Sequence, residues 1–206
     1  MSSLPSPLPV WVRFVPEAST TIAPRALPHQ RRYRIEEIRI VRGEPPTGLM
    51  EGSNLVRSET NSAPPSSAGA LLGVTQHLAY TQAAERRELT GISAADSGPM
   101  AVLIPISKTE SWWALAQDER DRLFRGRAER PGHLAIGRNY AGRIFRKLYH
   151  ARYAPGSTWD FLTYFEFPRE GAATFRALLQ ELRDPQLNPE WEYVERETEI
   201  WLTQLN

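Results

Sequence analysis

The order of polarity patterns in the second half is the tightest constraint on what this chain can fold into. AVLIPIS (101–107) is an apolar run of strand length, the kind buried on both faces. From Ser111 the pattern turns helical, with Asp118, Glu119 and Arg120 on an outer face and Leu115, Leu123 and Phe124 towards a core. Pro131-Gly132 interrupts it, and a second helix is expected from about His133, with Gly137, Tyr140, Ala141 and Ile144 at helical spacing. IFRKLYHAR (144–152) returns to period two, and a Pro155-Gly156 turn leads into the aromatic strand TWDFLTYFEF (158–167). EGAATFRALLQELRD (170–184) is an amphipathic helix, and WEYVERETEIWLT (191–203) closes as an alternating strand. Strand, helix, strand, strand, helix, strand is the ferredoxin-like α+β order.

The first half is less regular. VWVRFV (10–15), RYRIEEIRIV (32–41) and LLGVTQHLAYTQ (71–82) read as strands, the last followed by a short charged turn or helix at AAERREL. Residues 42–70 are rich in proline and glycine and read as an extended loop with short strands at most. The division expected is a strand-rich and loop-rich unit over 1–98 and a second unit over 99–206.

Composition narrows the chemistry. A chain of 206 residues can bury a real core, and 25 basic against 24 acidic residues give no support to nucleic-acid or membrane-surface binding. No apolar run approaches ~18 residues, and MSSLPSPLPVWVRF lacks the features of a secretory signal, so a cytoplasmic location is expected. With no cysteine, thiolate haem ligands, iron–sulfur clusters and cysteine–zinc sites are excluded. Any metal falls to carboxylates, tyrosines or the four histidines, His29, His77, His133 and His150. No nucleophile elbow, P-loop or dinucleotide fingerprint is present.

"GHLAIGRNYAGRIFRKLYH" (132–150) holds two of those histidines and four basic residues between them. His133 has no histidine at i+3 or i+4, so it either packs as an ordinary side chain or serves as a lone axial ligand, which suits haem. Arg146, thirteen residues on, is a surface strand residue or a cation returned to the same pocket by the strand. Trp112 and Trp113, with Lys108 before them, are core packing or an indole wall beside a planar cofactor. One of Glu190, Glu192, Glu195 and Glu197 could accept a hydrogen bond from the far nitrogen of a metal-bound histidine.

Together, "GVTQHLAYT", "LIPISKTESWWALAQDER", "GHLAIGRNYAGRIFRKLYHAR", "WDFLTYFEF" and "EWEYVERETEIWL" resemble the chlorite dismutase family of haem b proteins, over residues 71–202 and in the family's order. The length resembles the shorter clade of that family. The resemblance implies two ferredoxin-like antiparallel units with helices on the outer face, forming a barrel-like pair (a dimeric α+β barrel), with haem b iron in the second unit. It implies His133 as the iron ligand, Arg146 as the distal cation and Glu190 as the partner of His133. Lys108 and Tyr80 are placed by it at the haem propionates, and Trp113 beside the haem. The activity implied is conversion of the small anion chlorite to chloride and dioxygen, through oxygen-atom transfer to ferric haem and recombination of trapped hypochlorite. A homo-oligomer, with a dimer favoured, is implied as well. The sequence departs from the short clade at His77 and Ala79, where asparagine and arginine are common. The alternatives are a related haem protein with a weak peroxidase, coproheme decarboxylase or sensing role, and a haem-free interaction module. Arg146 weighs against the decarboxylase, whose distal position tends not to be arginine.

Overall fold

The structure, a computed structural model, describes residues 9–17, 30–65, 68–75, 89, 98–127 and 129–205. Eight strands run through it: β1 (Trp11–Pro16), β2 (Gln30–Arg42), β3 (Asn54–Thr60), β4 (Leu71–Val74), β5 (Met100–Lys108), β6 (Phe145–His150), β7 (Phe161–Phe167) and β8 (Val194–Gln204). They close into one antiparallel barrel, built within a single chain, in the order β1-β3-β2-β8-β5-β7-β6-β4. Each half therefore contributes four neighbouring strands in the same relative order, β4-β1-β3-β2 and β8-β5-β7-β6. The halves join along a long β2–β8 seam and at β4–β6, where the described residues make a single pair, Val74 with His150.

Helices α1 (Glu110–Ala114), α2 (Gln117–Arg125), α3 (Gly132–Tyr140) and α4 (Ala172–Leu182) all lie in the second half. Strand alternation gives that half two cores. Leu162 and Tyr164 of β7 join Phe14, Tyr33, Leu55, Leu103 and Ile200 in the lumen. Phe165 and Phe167 face outward, where Ile136 of α3 and Phe175, Leu178 and Leu179 of α4 cover the sheet. Every residue of β7 is buried as a result, Thr163 and Glu166 included, which is why the strand is so rich in aromatic residues.

Three expectations need correction. The single helix expected from Ser111 is two helices. Thr109 Oγ1 caps α1, and Leu115, with extended backbone, ends it. Glu119 then accepts a hydrogen bond from the Ala116 N–H (2.7 Å) and starts α2. The long strand expected from Trp191 begins at Val194, because Pro189–Tyr193 forms a 3-10 turn. Finally, the stretch 42–70 contains a full seven-residue strand, β3, lying between β1 and β2. Its lumen positions include Arg57 beside Leu55, so the usual apolar alternation is hidden there. The strand expected over 71–82 is described only to Thr75. The AAERREL segment lies outside the described residues apart from Leu89, which is buried against Phe124 and Leu134. Among the described residues no helix is long and apolar enough to cross a membrane.

Phe175 is the keystone of the outer core, with its ring 4.7 Å from Phe167, 4.9 Å from Phe165 and 5.5 Å from Trp201. Phe175→Ala should cost about 3–5 kcal/mol of unfolding free energy, read from the urea midpoint at constant slope.

Candidate functional site

The site begins where two glycines cross. Gly126 ends α2 and Gly132 opens α3, both with positive φ, and a Cβ on Gly126 would lie 2.1 Å from the Arg130 carbonyl oxygen. Only glycine allows this approach, and it turns the chain sharply enough to place His133 on the first turn of α3. The Gly132 N–H donates to Leu187 O (2.9 Å), tying the start of α3 to the loop that leads to Glu190.

Three charged or ionisable side chains meet there from three segments. His133 Nδ1 lies 3.0 Å from Glu190 Oε2, and Lys108 Nζ, at the end of β5, lies 2.8 Å from Glu190 Oε1. Both Lys108 and Glu190 side chains are only 5% exposed. Burial pushes the Glu190 carboxyl up, but Lys108 and His133 outweigh it and hold the group well below the usual carboxylate range. An ionised carboxylate only accepts, so the ring proton of neutral His133 sits on Nδ1. Burial, with the nearby charge of Arg146, lowers the His133 pKa despite the opposing pull of Glu190. The ring is therefore neutral at pH 7 and carries its lone pair on Nε2. That atom is buried and has no hydrogen-bond partner among the described residues. Phe124 packs on the imidazole at 5.0 Å.

Arg146 approaches the same helix from the sheet. It lies on the outward face of β6, with its guanidinium carbon 6.0 Å from the Phe165 ring. One of its terminal nitrogens comes within 4.0 Å of where a Cβ on Gly137 would stand, one turn after His133. A Cβ on Gly137 would also lie 2.5 Å from Leu89 Cδ2, so the bare glycine is what lets Leu89 pack against this turn.

Lys108 gives its ammonium to Glu190, which would otherwise be a buried unpaired charge. Its Nζ also lies 4.6 Å from the fully buried Trp112 ring. Trp113 stacks on Phe161 (6.0 Å), carries the Arg152 guanidinium at 4.0 Å, and donates its indole N–H to Asp160. Asp160, which sequence reasoning missed, also accepts from the Lys108 backbone N–H (2.7 Å) and from Arg152 (2.8 Å). Its only signal was an acidic residue inside an aromatic strand. His150 lies edge-on to Phe161 at 5.3 Å. Tyr80, His77 and His29 fall outside the described residues.

Among the described residues no group of three or more histidine, aspartate or glutamate side chains could hold a metal ion. A metal at His133 would thus have one protein side chain and need its other ligands from a bound group. An orphaned, buried imidazole nitrogen with an ionised carboxylate behind it fits the axial position of haem.

An antiparallel barrel with this histidine–glutamate–lysine group on its outer face defines the class, and the comparisons name it. No family model matches the chain. It is 34% identical to the dimeric chlorite dismutase of Nitrobacter winogradskyi, whose crystal structure has a TM-score of 0.69 to it over 93% of this chain and 99% of that one. The chlorite dismutase of Candidatus Nitrospira defluvii in complex with imidazole, at 20% identity, shares the fold with a TM-score of 0.62, over 96% of this chain and 91% of that one. A chlorite dismutase from Ideonella dechloratans is 31% identical over 107 residues, which are 50% of this chain but 35% of that protein; the match spans about a third of the relative's length. The chain belongs to the chlorite dismutase family.

The Lys108–Glu190 pair lends itself to a stability test. Lys108→Met should cost about 3–5 kcal/mol at pH 7, because it strands a buried carboxylate. The folded pKa of Glu190 is lowered, so its stabilisation is present above the ordinary carboxylate value of about 4.3 and lost as pH falls through the lowered one. The penalty in the variant should accordingly shrink at pH 4, where Glu190 can take up a proton; urea denaturation at the two pH values measures it.

Proposed function

We propose that this chain is a haem b oxidoreductase that converts chlorite to chloride and dioxygen. The observation that carries the reading is the His133 ring, with its Nδ1 proton given to Glu190 and its Nε2 lone pair buried and unclaimed among the described residues. When bound, ferric haem b supplies an open coordination position at which chlorite can surrender an oxygen atom.

The chain's own residues do the rest. His133 would hold the haem iron, and Glu190 would make it more basic by drawing on its Nδ1 proton. Lys108 shares the same carboxylate and keeps it ionised in a buried place. Arg146 is the distal cation. It stays charged at any working pH and neither gives up a proton readily nor accepts one, which suits oxygen-atom transfer. Its guanidinium would hold the chlorite anion and retain hypochlorite by charge-assisted hydrogen bonds, the retention that release of dioxygen and chloride requires. Trp113 is assigned to the rim of the pocket and Tyr80 to a propionate, both on the family resemblance. The shared strand order of the two halves supports reading them as two ferredoxin-like units over 1–98 and 99–206. The Nitrobacter relative is dimeric, and the same assembly is proposed for this chain.

Haem-loaded protein should show a Soret band and release oxygen on addition of chlorite, followed with an oxygen electrode. His133→Ala should lose most of that band; an unchanged spectrum would sink the ligand assignment. Arg146→Ala should keep the band, lose roughly 10²-fold in turnover, and bleach faster as hypochlorite escapes.

A further inference from the structure

Backbone and side chains both hold the strand that carries Arg146. Along one edge β6 pairs with β7 over its full length, from Phe145–Glu166 to His150–Phe161. Along the other edge the described residues make only the His150–Val74 pair, at the end away from Arg146.

Side chains also hold β6 from inside the barrel. Alternation sends Lys147 and Tyr149 into the lumen while Arg146 points outward. Both meet one carboxylate oxygen, Glu59 Oε1 on β3, which accepts from Lys147 Nζ (2.7 Å), the Tyr149 hydroxyl (2.5 Å) and the Arg57 guanidinium (2.6 Å). Arg57 donates to the Tyr149 hydroxyl as well (3.0 Å) and lies over the Tyr164 ring at 4.7 Å. In the barrel order β4 and β1 stand between β6 and β3, so these bonds reach across two strands. Burial pushes the Glu59 carboxyl up, but Arg57 and Lys147 hold it below its ordinary value and keep it ionised. Tyr149 is fully buried, so water does not replace a partner it loses.

We propose that Glu59 is a positioning residue for Arg146: from the first half of the chain it grips β6 through Lys147 and Tyr149 and so fixes the guanidinium against the anion site. The role given to Arg146 rests on the function proposed above; the grip on β6 does not. Lys147 and Arg146 are adjacent, about 3.8 Å apart at Cα, so backbone drift at one is passed to the other.

The test uses Glu59→Gln, which keeps the shape and removes the charge. In ferric haem-loaded protein, titration of the Soret band with cyanide should give a Kd about tenfold weaker than wild type, with haem still bound. The same substitution made in Arg146→Ala should change the cyanide Kd no further. Ile35→Val, a lumen substitution away from β6, should lower stability and leave cyanide affinity alone. Unchanged affinity in Glu59→Gln, or equal weakening with and without Arg146, overturns the proposal. Hydrogen exchange of residues 145–150 in the full chain without haem reads the grip separately and should speed up about tenfold; no change there also overturns it. A wild-type protein with no Soret band would instead sink the haem reading, while the exchange result still decides whether Glu59 holds β6. Should Glu59→Gln not fold, Lys147→Met carries the same expectations.

Discussion

Strands β5 and β7 and most of β8 are buried on both faces, and most of the molecule follows from that condition. One backbone must satisfy a lumen packed with Tyr33, Leu103 and Tyr164 and an outer layer packed with Phe165, Phe175 and Trp201. Neighbouring residues thereby belong to different environments. Arg146 and Lys147 share a peptide bond, yet one looks towards α3 and the other joins Glu59 inside the barrel. The candidate site and its mechanical support lie on opposite sides of the same sheet.

Buried carboxylates join the segments. Glu190 brings together the end of β5, the start of α3 and the turn before β8. Glu197 and Glu199 of β8 both take Arg183 from the end of α4, and Glu199 also accepts the Trp201 indole N–H. Each of these acids would be costly alone, and each is compensated by a cation from another segment, so an incorrect register would strand a charge. Such pairs select one arrangement more than they add net stability.

The sequence was legible where a single period dominated. AVLIPIS, TWDFLTYFEF and EGAATFRALLQELRD all became the elements their patterns predicted, since each is buried through one regular repeat. The break at Leu115 was not legible, because it depends on Thr109 and Glu119 capping two short helices that together keep one amphipathic pattern. β3 was obscured because Arg57 faces the lumen, where hydrophobic residues are expected, and its partners Glu59 and Tyr149 are remote or irregular in sequence. His133, Arg146 and Glu190 stood out through the order of their surrounding motifs. The partner of Lys108 did not, since the ammonium turns to a carboxylate 82 residues away. Phe124 was read as a core residue, but its place against His133 was not legible, and Asp160 gave almost no signal.

The place of β8 in the barrel has a consequence for how the protein is made. It is the last barrel strand to leave the ribosome, yet it lies between β2 and β5 and hydrogen-bonds both. Throughout the synthesis of β5, the helices and β7, the nascent chain presents those two strands with open edges, and Ile35 and Leu103 lack the neighbours that Leu202 and Ile200 later provide. Open edges flanked by apolar residues recruit other strands. The interval between translation of β5 and translation of β8 is thus when this polypeptide is most exposed to misassembly, and the period in which a chaperone has most to protect.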